Sequence, residues 1–287
     1  MTFLAFSTLP KGVLVALAAL FGALVGSFLN VVAYRLPIMM QRQWEDEARD
    51  VLGMEPIARE PFDLNRPRSR CPHCGHAIRA WENIPVLSWL VLRGKCSSCK
   101  AAISPQYPLG EALAAAVTAA IVWREGASLT TLVHIGLAWS LLAAAWVDAK
   151  SMILPDDIVL PMLWAGLLWH TFHDVGAGQS QYILGAAFGY FGLRSLSALF
   201  TRFTGREGMG FGDFKLLGAL GAWFGLLTLP FVLIISAAFT FAGWVVARLA
   251  LGHKHPQMPF GPGLAASGLL FLVVGYAPVF HAVMTVL

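Results

Sequence analysis

The sequence predicts an all-α polytopic membrane protein of about eight transmembrane helices, with a small polar domain inserted between the first and the second. Three observations carry this. Of the 287 residues, 57% are apolar and only 13% are charged. A soluble domain carries about 25% charged residues, so this chain lacks the polar surface needed to face water all round. Apolar stretches close to the twenty residues that cross a hydrocarbon core of roughly 30 Å recur along the chain. All four cysteines fall in one polar stretch between the first two of these.

Taken in order, the first apolar stretch runs from Gly12 to Ala33. It exceeds the ~7–15 apolar residues of a secretory leader and continues directly into Asn30-Val31-Val32, so it is expected to be a retained span. The expected spans are 13–34, 107–123, 129–147, 158–173, 181–200, 214–228, 231–250 and 262–286. Segment 38–104 differs in kind, being rich in charge and proline. The expected organisation is therefore a first span within 1–37, a polar domain at 38–104 and a membrane core of about seven spans at 105–287. No internal repeat or low-complexity tract is visible.

Orientation follows from the basic residues. With eight spans, Arg35 and segment 38–104 share one side with Lys150, Arg194, Arg202, Arg206, Lys215, Arg248 and Lys254, while only Lys11 and Arg124 fall opposite. That bias places the cysteine-bearing domain in the cytoplasm and both termini outside. The net charge of +4 is accounted for by a basic face beside anionic headgroups, and no nucleic-acid partner is expected.

Cys71-Pro72-His73-Cys74 and Cys96-Ser97-Ser98-Cys99 form two C-x-x-C knuckles. Each sets two thiolates on one tight turn, and the spacing allows the intervening loop to bring all four sulfurs around one tetrahedral ion. A structural zinc bound by Cys71, Cys74, Cys96 and Cys99 is the expectation; stable disulfides are rare in a reducing compartment. Four sulfur ligands leave no open position for chemistry. His73 and His76 are read as surface residues.

The chemistry is expected at two aspartates. Asp148 ends the third span, and Asp213 opens the sixth within Gly210-Phe211-Gly212-Asp213-Phe214-Lys215. Two crossings separate them, so both return to the cytoplasmic edge of the bilayer. Paired, partly desolvated carboxylates share a proton, and one can activate water while the other donates to a leaving group. The bland reading is a polar span end at Asp148 and a helix N-cap at Asp213. Gly208, Gly210 and Gly212 can bring bare backbone close to an extended peptide. His134 lies inside the third span, where packing is expected. Glu111, inside the second, must find a partner. Asp156 or Asp157 is read as a cap of the fourth span.

Several stretches in the right order make the chain resemble bacterial type IV prepilin peptidases, membrane aspartic proteases with a G-x-G-D motif. They are Gly26-Ser27-Phe28-Leu29-Asn30-Val31-Val32-Ala33-Tyr34-Arg35-Leu36-Pro37, Trp81-Glu82-Asn83-Ile84-Pro85 between the knuckles, Val147-Asp148 with Leu154-Pro155-Asp156, and Gly208 through Leu217. The resemblance implies that Asp148 and Asp213 are the catalytic pair, with Gly210, Gly212 and Lys215 supporting the loop and substrate. It implies prepilin and pseudopilin substrates whose basic leader is cut at the cytoplasmic face of the bacterial inner membrane, which agrees with the orientation, both termini periplasmic, read from the basic residues. It also implies N-methylation of the new terminus from S-adenosylmethionine; no Rossmann-type glycine fingerprint supports that cofactor independently. Ile38 to Arg70 matches no motif of the family. The rival functions are an ion-coupled transporter using intramembrane carboxylates and a scaffold of a secretion assembly. A transporter is expected to place its charges near the midplane and to show repeat symmetry. Oligomeric state is left open.

Overall fold

The computed structural model describes residues 9–173, 178–206, 208–250, 258–275 and 278–279. Among these the chain is helical, with only two isolated bridges, Arg70 with Ala77 and Lys95 with Ala102. Nine α-helices are described: α1 (Lys11–Val51), a short α2 (Leu87–Val91), α3 (Gln106–Glu125), α4 (Leu129–Ser151), α5 (Asp156–His173), α6 (Gln179–Thr204), α7 (Phe211–Phe224), α8 (Leu229–Ala250) and α9 (Gly261–Val274). The eight long ones fall on the eight apolar stretches expected from sequence. Four are long and apolar enough to cross a membrane: α1, α4, α6 and residues 226–249. The expected eighth span at 262–286 is helical over α9, and most of its remainder lies outside the described residues.

The chain forms two compact units, residues 1–135 and 136–287. In the first, α1 lies against α3 through small residues. A Cβ at Gly22 would stand 2.6 Å from Thr118 Oγ1, and one at Gly26 would stand 2.8 Å from Ala114 Cβ. Such bare positions let backbones approach where lipid supplies no hydrophobic drive between helices. Polar groups of the first-span signature are then spent on fixed partners. Buried Asn30 donates to the Tyr107 carbonyl at 3.1 Å. Buried Arg35 donates to the carbonyls of Asp63 and Pro67 at 2.8 and 2.6 Å, tying the polar segment to the helix. Helix α1 does not stop where its apolar stretch does: it runs through Pro37 to Val51. Beyond Pro37 it is a polar helix carrying a Gln43–Glu47 hydrogen bond of 2.8 Å at i,i+4 spacing.

Glu111, the carboxylate inside α3, is buried and accepts from the Val86 backbone N–H at 2.7 Å. Val86 has φ +61, a conformation that a β-branched residue rarely adopts, and it starts α2. The carboxylate thus holds a strained turn of the polar segment against a helix of the core. His134 faces Glu125 at 2.9 Å, the structural partner that a histidine in a span requires.

In the second unit, α6 and α7 cross on bare backbone. A Cβ at Gly221 would stand 2.2 Å from the Gly185 carbonyl oxygen, and one at Gly189 would stand 2.7 Å from that of Leu217. Trp223 donates from Nε1 to the Met162 carbonyl at 2.8 Å and fills the space left by Gly166, which seats α5 on α7. Helices α8 and α9 are joined by a buried Ser236–Ser267 hydrogen bond of 3.0 Å. These contacts fix α7, and with it the residue at its start.

Candidate active site

Asp148 sits in the last turn of α4 and is only 4% exposed. The helix ends just beyond it, where Met152 takes φ +55 and its N–H bonds back to the Asp148 carbonyl at 2.8 Å. That left-handed residue turns the chain sharply, so Leu154 returns towards the carboxylate instead of leaving it. The Asp148 side chain accepts from the Gly261 backbone N–H at 3.1 Å, across 113 residues of sequence. Gly261 is the first residue of α9.

Asp213 lies in the first turn of α7 and is 9% exposed. Gly210 precedes the helix in extended conformation, and the Asp213 carboxylate reaches back to its N–H at 3.2 Å. The carboxylate therefore occupies the N3 position of a half capping box and satisfies an orphan donor. The alternative reading of Asp213 as an N-cap does not hold; that position belongs to Gly210.

The two acids lie within electrostatic reach of each other. Leu154 packs on Gly212, next to Asp213, and lies beside Gly261, the donor to Asp148. A Cβ at Gly212 would stand 2.6 Å from Leu154 Cβ, and one at Gly261 would stand 3.2 Å from Leu154 Cδ1. Gly212 is thus inside α7 and bare because Leu154 presses on it. Gly208 is bare against Phe200 at 2.9 Å, while a Cβ at Gly210 would meet only Asp213 Oδ2, at an ordinary 3.7 Å.

Lys215, two residues after Asp213, donates to both oxygens of Asp156 at 2.7 and 2.8 Å. Asp156 or Asp157 was expected to cap α5, and both lie within its first turn; Asp156 is the one that engages Lys215. Phe211 is exposed, with the Arg194 guanidinium 5.6 Å from its ring centroid. Sequence reasoning passed over the Gly261 segment. Its signal was Pro259-Phe260-Gly261-Pro262-Gly263, where proline just inside an apolar run marks a helix start.

In the first unit the sulfurs of Cys71, Cys74, Cys96 and Cys99 lie within 4.8 Å of one another, with Cys71 and Cys99 3.8 Å apart. A tetrahedron with metal–sulfur bonds of about 2.3 Å has edges of about 3.8 Å, so the donor set fits zinc. The knuckles repeat one geometry. Cys71 N–H bonds to the His76 carbonyl and Gly75 N–H to the Cys71 carbonyl; Cys96 N–H bonds to the Ala101 carbonyl and Lys100 N–H to that of Cys96. Gly75 and Lys100 take matching φ of +71 and +62. His76 lies 3.2 Å from Glu82 and is outside the sulfur cluster. The Arg79 backbone N–H, with Ser97 and His76, holds the Glu82 carboxyl down at about 2.

Comparison with known proteins agrees with this division. Residues 20–125 match the bacterial peptidase A24 N-terminal domain, and residues 135–246 match the type IV leader peptidase family. A prepilin leader peptidase/N-methyltransferase of Pseudomonas putida is 47% identical over 96% of this chain and 96% of its own. Proteins of the same name from Pseudomonas aeruginosa and Aeromonas hydrophila are 46% and 45% identical, covering 89% and 91% of this chain and 89% and 90% of their own. No solved structure gives a significant match. With buried paired acids on one unit and a four-sulfur cluster on the other, the chain belongs to the type IV leader peptidase family.

Proposed function

We propose that the protein cleaves the basic leader from type IV prepilins and pseudopilins and N-methylates the new terminus, with Asp148 and Asp213 as the hydrolytic pair. The observation that carries the hydrolytic assignment is the burial of two carboxylates at helix ends that meet around Leu154, each held by a backbone N–H. Two such groups share a proton. The ionised member takes a proton from water as it attacks the scissile carbonyl. The protonated member donates its proton to the carbonyl oxygen; the member that took the water proton then gives it to the leaving amine, as a hydroxyl of the tetrahedral intermediate returns a proton to the first. Lys215 and Asp156 bridge the start of α7 to the start of α5, beside the segments that carry the two acids.

The basic-residue bias supports placing the 38–104 domain and both acids on the cytoplasmic side of the inner membrane, with both termini periplasmic. A prepilin is an apolar helix with a positively charged leader, so acids at that edge reach the junction without drawing the peptide into lipid. Zinc held by Cys71, Cys74, Cys96 and Cys99 staples the polar domain, where it supplies fold and no chemistry. The methyl group would come from S-adenosylmethionine. Against a transporter, the two acids lie at helix ends, Asp148 in the last turn of α4 and Asp213 in the first of α7.

Purified protein incubated with a prepilin peptide and S-adenosylmethionine tests this reading by mass spectrometry. The expected product lacks the leader and carries one methyl group on its new amino terminus. An intact peptide after prolonged incubation with folded, membrane-reconstituted protein contradicts it.

A further inference from the structure

We infer that Gly261 is a positioning residue for Asp148: its backbone N–H fixes one carboxylate oxygen so that the other is left to engage the hydrolytic water. The inference rests on the peptidase reading. The bond is buried and 3.1 Å long. A carboxylate otherwise swings about its terminal torsion, which is broad and two-fold. A donor clamped to one oxygen removes that freedom, and a pre-set geometry is where enzymes gain much of their rate.

The site is shaped for a bare backbone. A Cβ at Gly261 would stand 2.5 Å from Asp148 Oδ2, 3.0 Å from its Cγ and 3.2 Å from Leu154 Cδ1. Both neighbouring residues are held: Asp148 by its helix, Leu154 by Gly212 on the other side. No side chain fits at Gly261 without displacing the acid. The donor is also rigid, because Pro262 follows it and the Leu264 N–H bonds back to the Phe260 carbonyl at 3.1 Å. Gly261 thus joins the start of α9 to the end of α4, and through Leu154 to the start of α7, so three separate helix ends meet at the acid pair.

The test compares Gly261→Ala with Gly268→Ala in purified full-length protein. Gly268 is a packing control on the same helix, where a Cβ would meet Leu220 Cδ2 at 2.7 Å. Leader cleavage is followed as kcat and KM, and methyl transfer is followed on a peptide already lacking its leader. Gly261→Ala is expected to lower kcat roughly a hundredfold while KM stays within about threefold and methyl transfer persists. Gly268→Ala is expected to lower the melting temperature and keep kcat. Gly261→Ala with wild-type kcat overturns the inference. So does an equal loss of both activities in both variants, which marks mere packing. Should Gly261→Ala not fold, the Gly261 amide resonance in glycine-labelled protein decides instead: it moves upfield in Asp148→Ala, and an unchanged resonance overturns the inference. Failure of the wild-type protein to cleave at all would count against the peptidase reading, whereas the amide measurement does not depend on activity.

Discussion

The Lys215 ammonium grips both oxygens of Asp156 at 2.7 and 2.8 Å, joining the start of α7 to the start of α5. Each partner stands two to eight residues from one of the acids, yet both are part-exposed, at 28% and 52% of their side chains. Exposed pairs contribute little, about 0–1 kcal/mol, because water screens them and two long side chains must be ordered. The coupling energy in a double-mutant cycle of Lys215→Ala and Asp156→Ala is therefore expected to lie below about 1 kcal/mol. Measured by thermal unfolding, a much larger coupling would mean the pair is more shielded than its exposure implies.

The α6–α7 crossing predicts a sharper effect. With the Gly185 oxygen 2.2 Å from where a Cβ of Gly221 would stand, Gly221→Ala must push two helix backbones apart. A cost of about 1–3 kcal/mol is expected, seen as a lowered melting temperature. Gly192→Ala, on the same helix as Gly185 but with open space beside it, should leave the melting temperature unchanged.

Glu111 predicts a graded series. Glu111→Gln keeps an acceptor for the Val86 N–H and should alter stability little. Glu111→Ala leaves a backbone donor without its partner at a strained turn, at a cost of about 1–3 kcal/mol. Limited proteolysis within the 81–91 segment is expected to accelerate in Glu111→Ala and not in Glu111→Gln.

The four-sulfur cluster predicts one zinc per chain by elemental analysis. Replacing Cys71 and Cys74 by Ser should remove the metal and expose segment 38–104 to protease, because four sulfur ligands hold the fold. Full metal content in that variant would place the ion elsewhere.

Asp213 and the cysteines stood out in the sequence because their signals are local. G-x-G-D ahead of an apolar run and paired C-x-x-C turns each carry their chemistry within a few residues. The eight apolar stretches likewise announced eight long helices. The end of α1 was not legible: hydropathy falls at Pro37, but leaving an apolar stretch is not the end of a helix, and the polar continuation to Val51 is stabilised by its own spacing. Gly261 was invisible for the opposite reason. Its partner lies 113 residues away, and no periodicity reports a contact between one helix end and another. The reading of Asp156 or Asp157 as a cap missed the ion pair of Asp156, because an acid at a helix start satisfies two rules at once and only the position of Lys215 decides between them.

Leader cleavage by Asp148→Asn and Asp213→Asn, each purified and tested against a prepilin peptide, measures the catalytic assignment most directly. Each substitution removes one ionisable group and keeps shape and an acceptor oxygen for Gly261 or Gly210. Cleavage is expected to fall at least about a thousandfold in either variant, with methyl transfer to a leaderless peptide retained. Cleavage at the wild-type rate by either one would contradict the assignment.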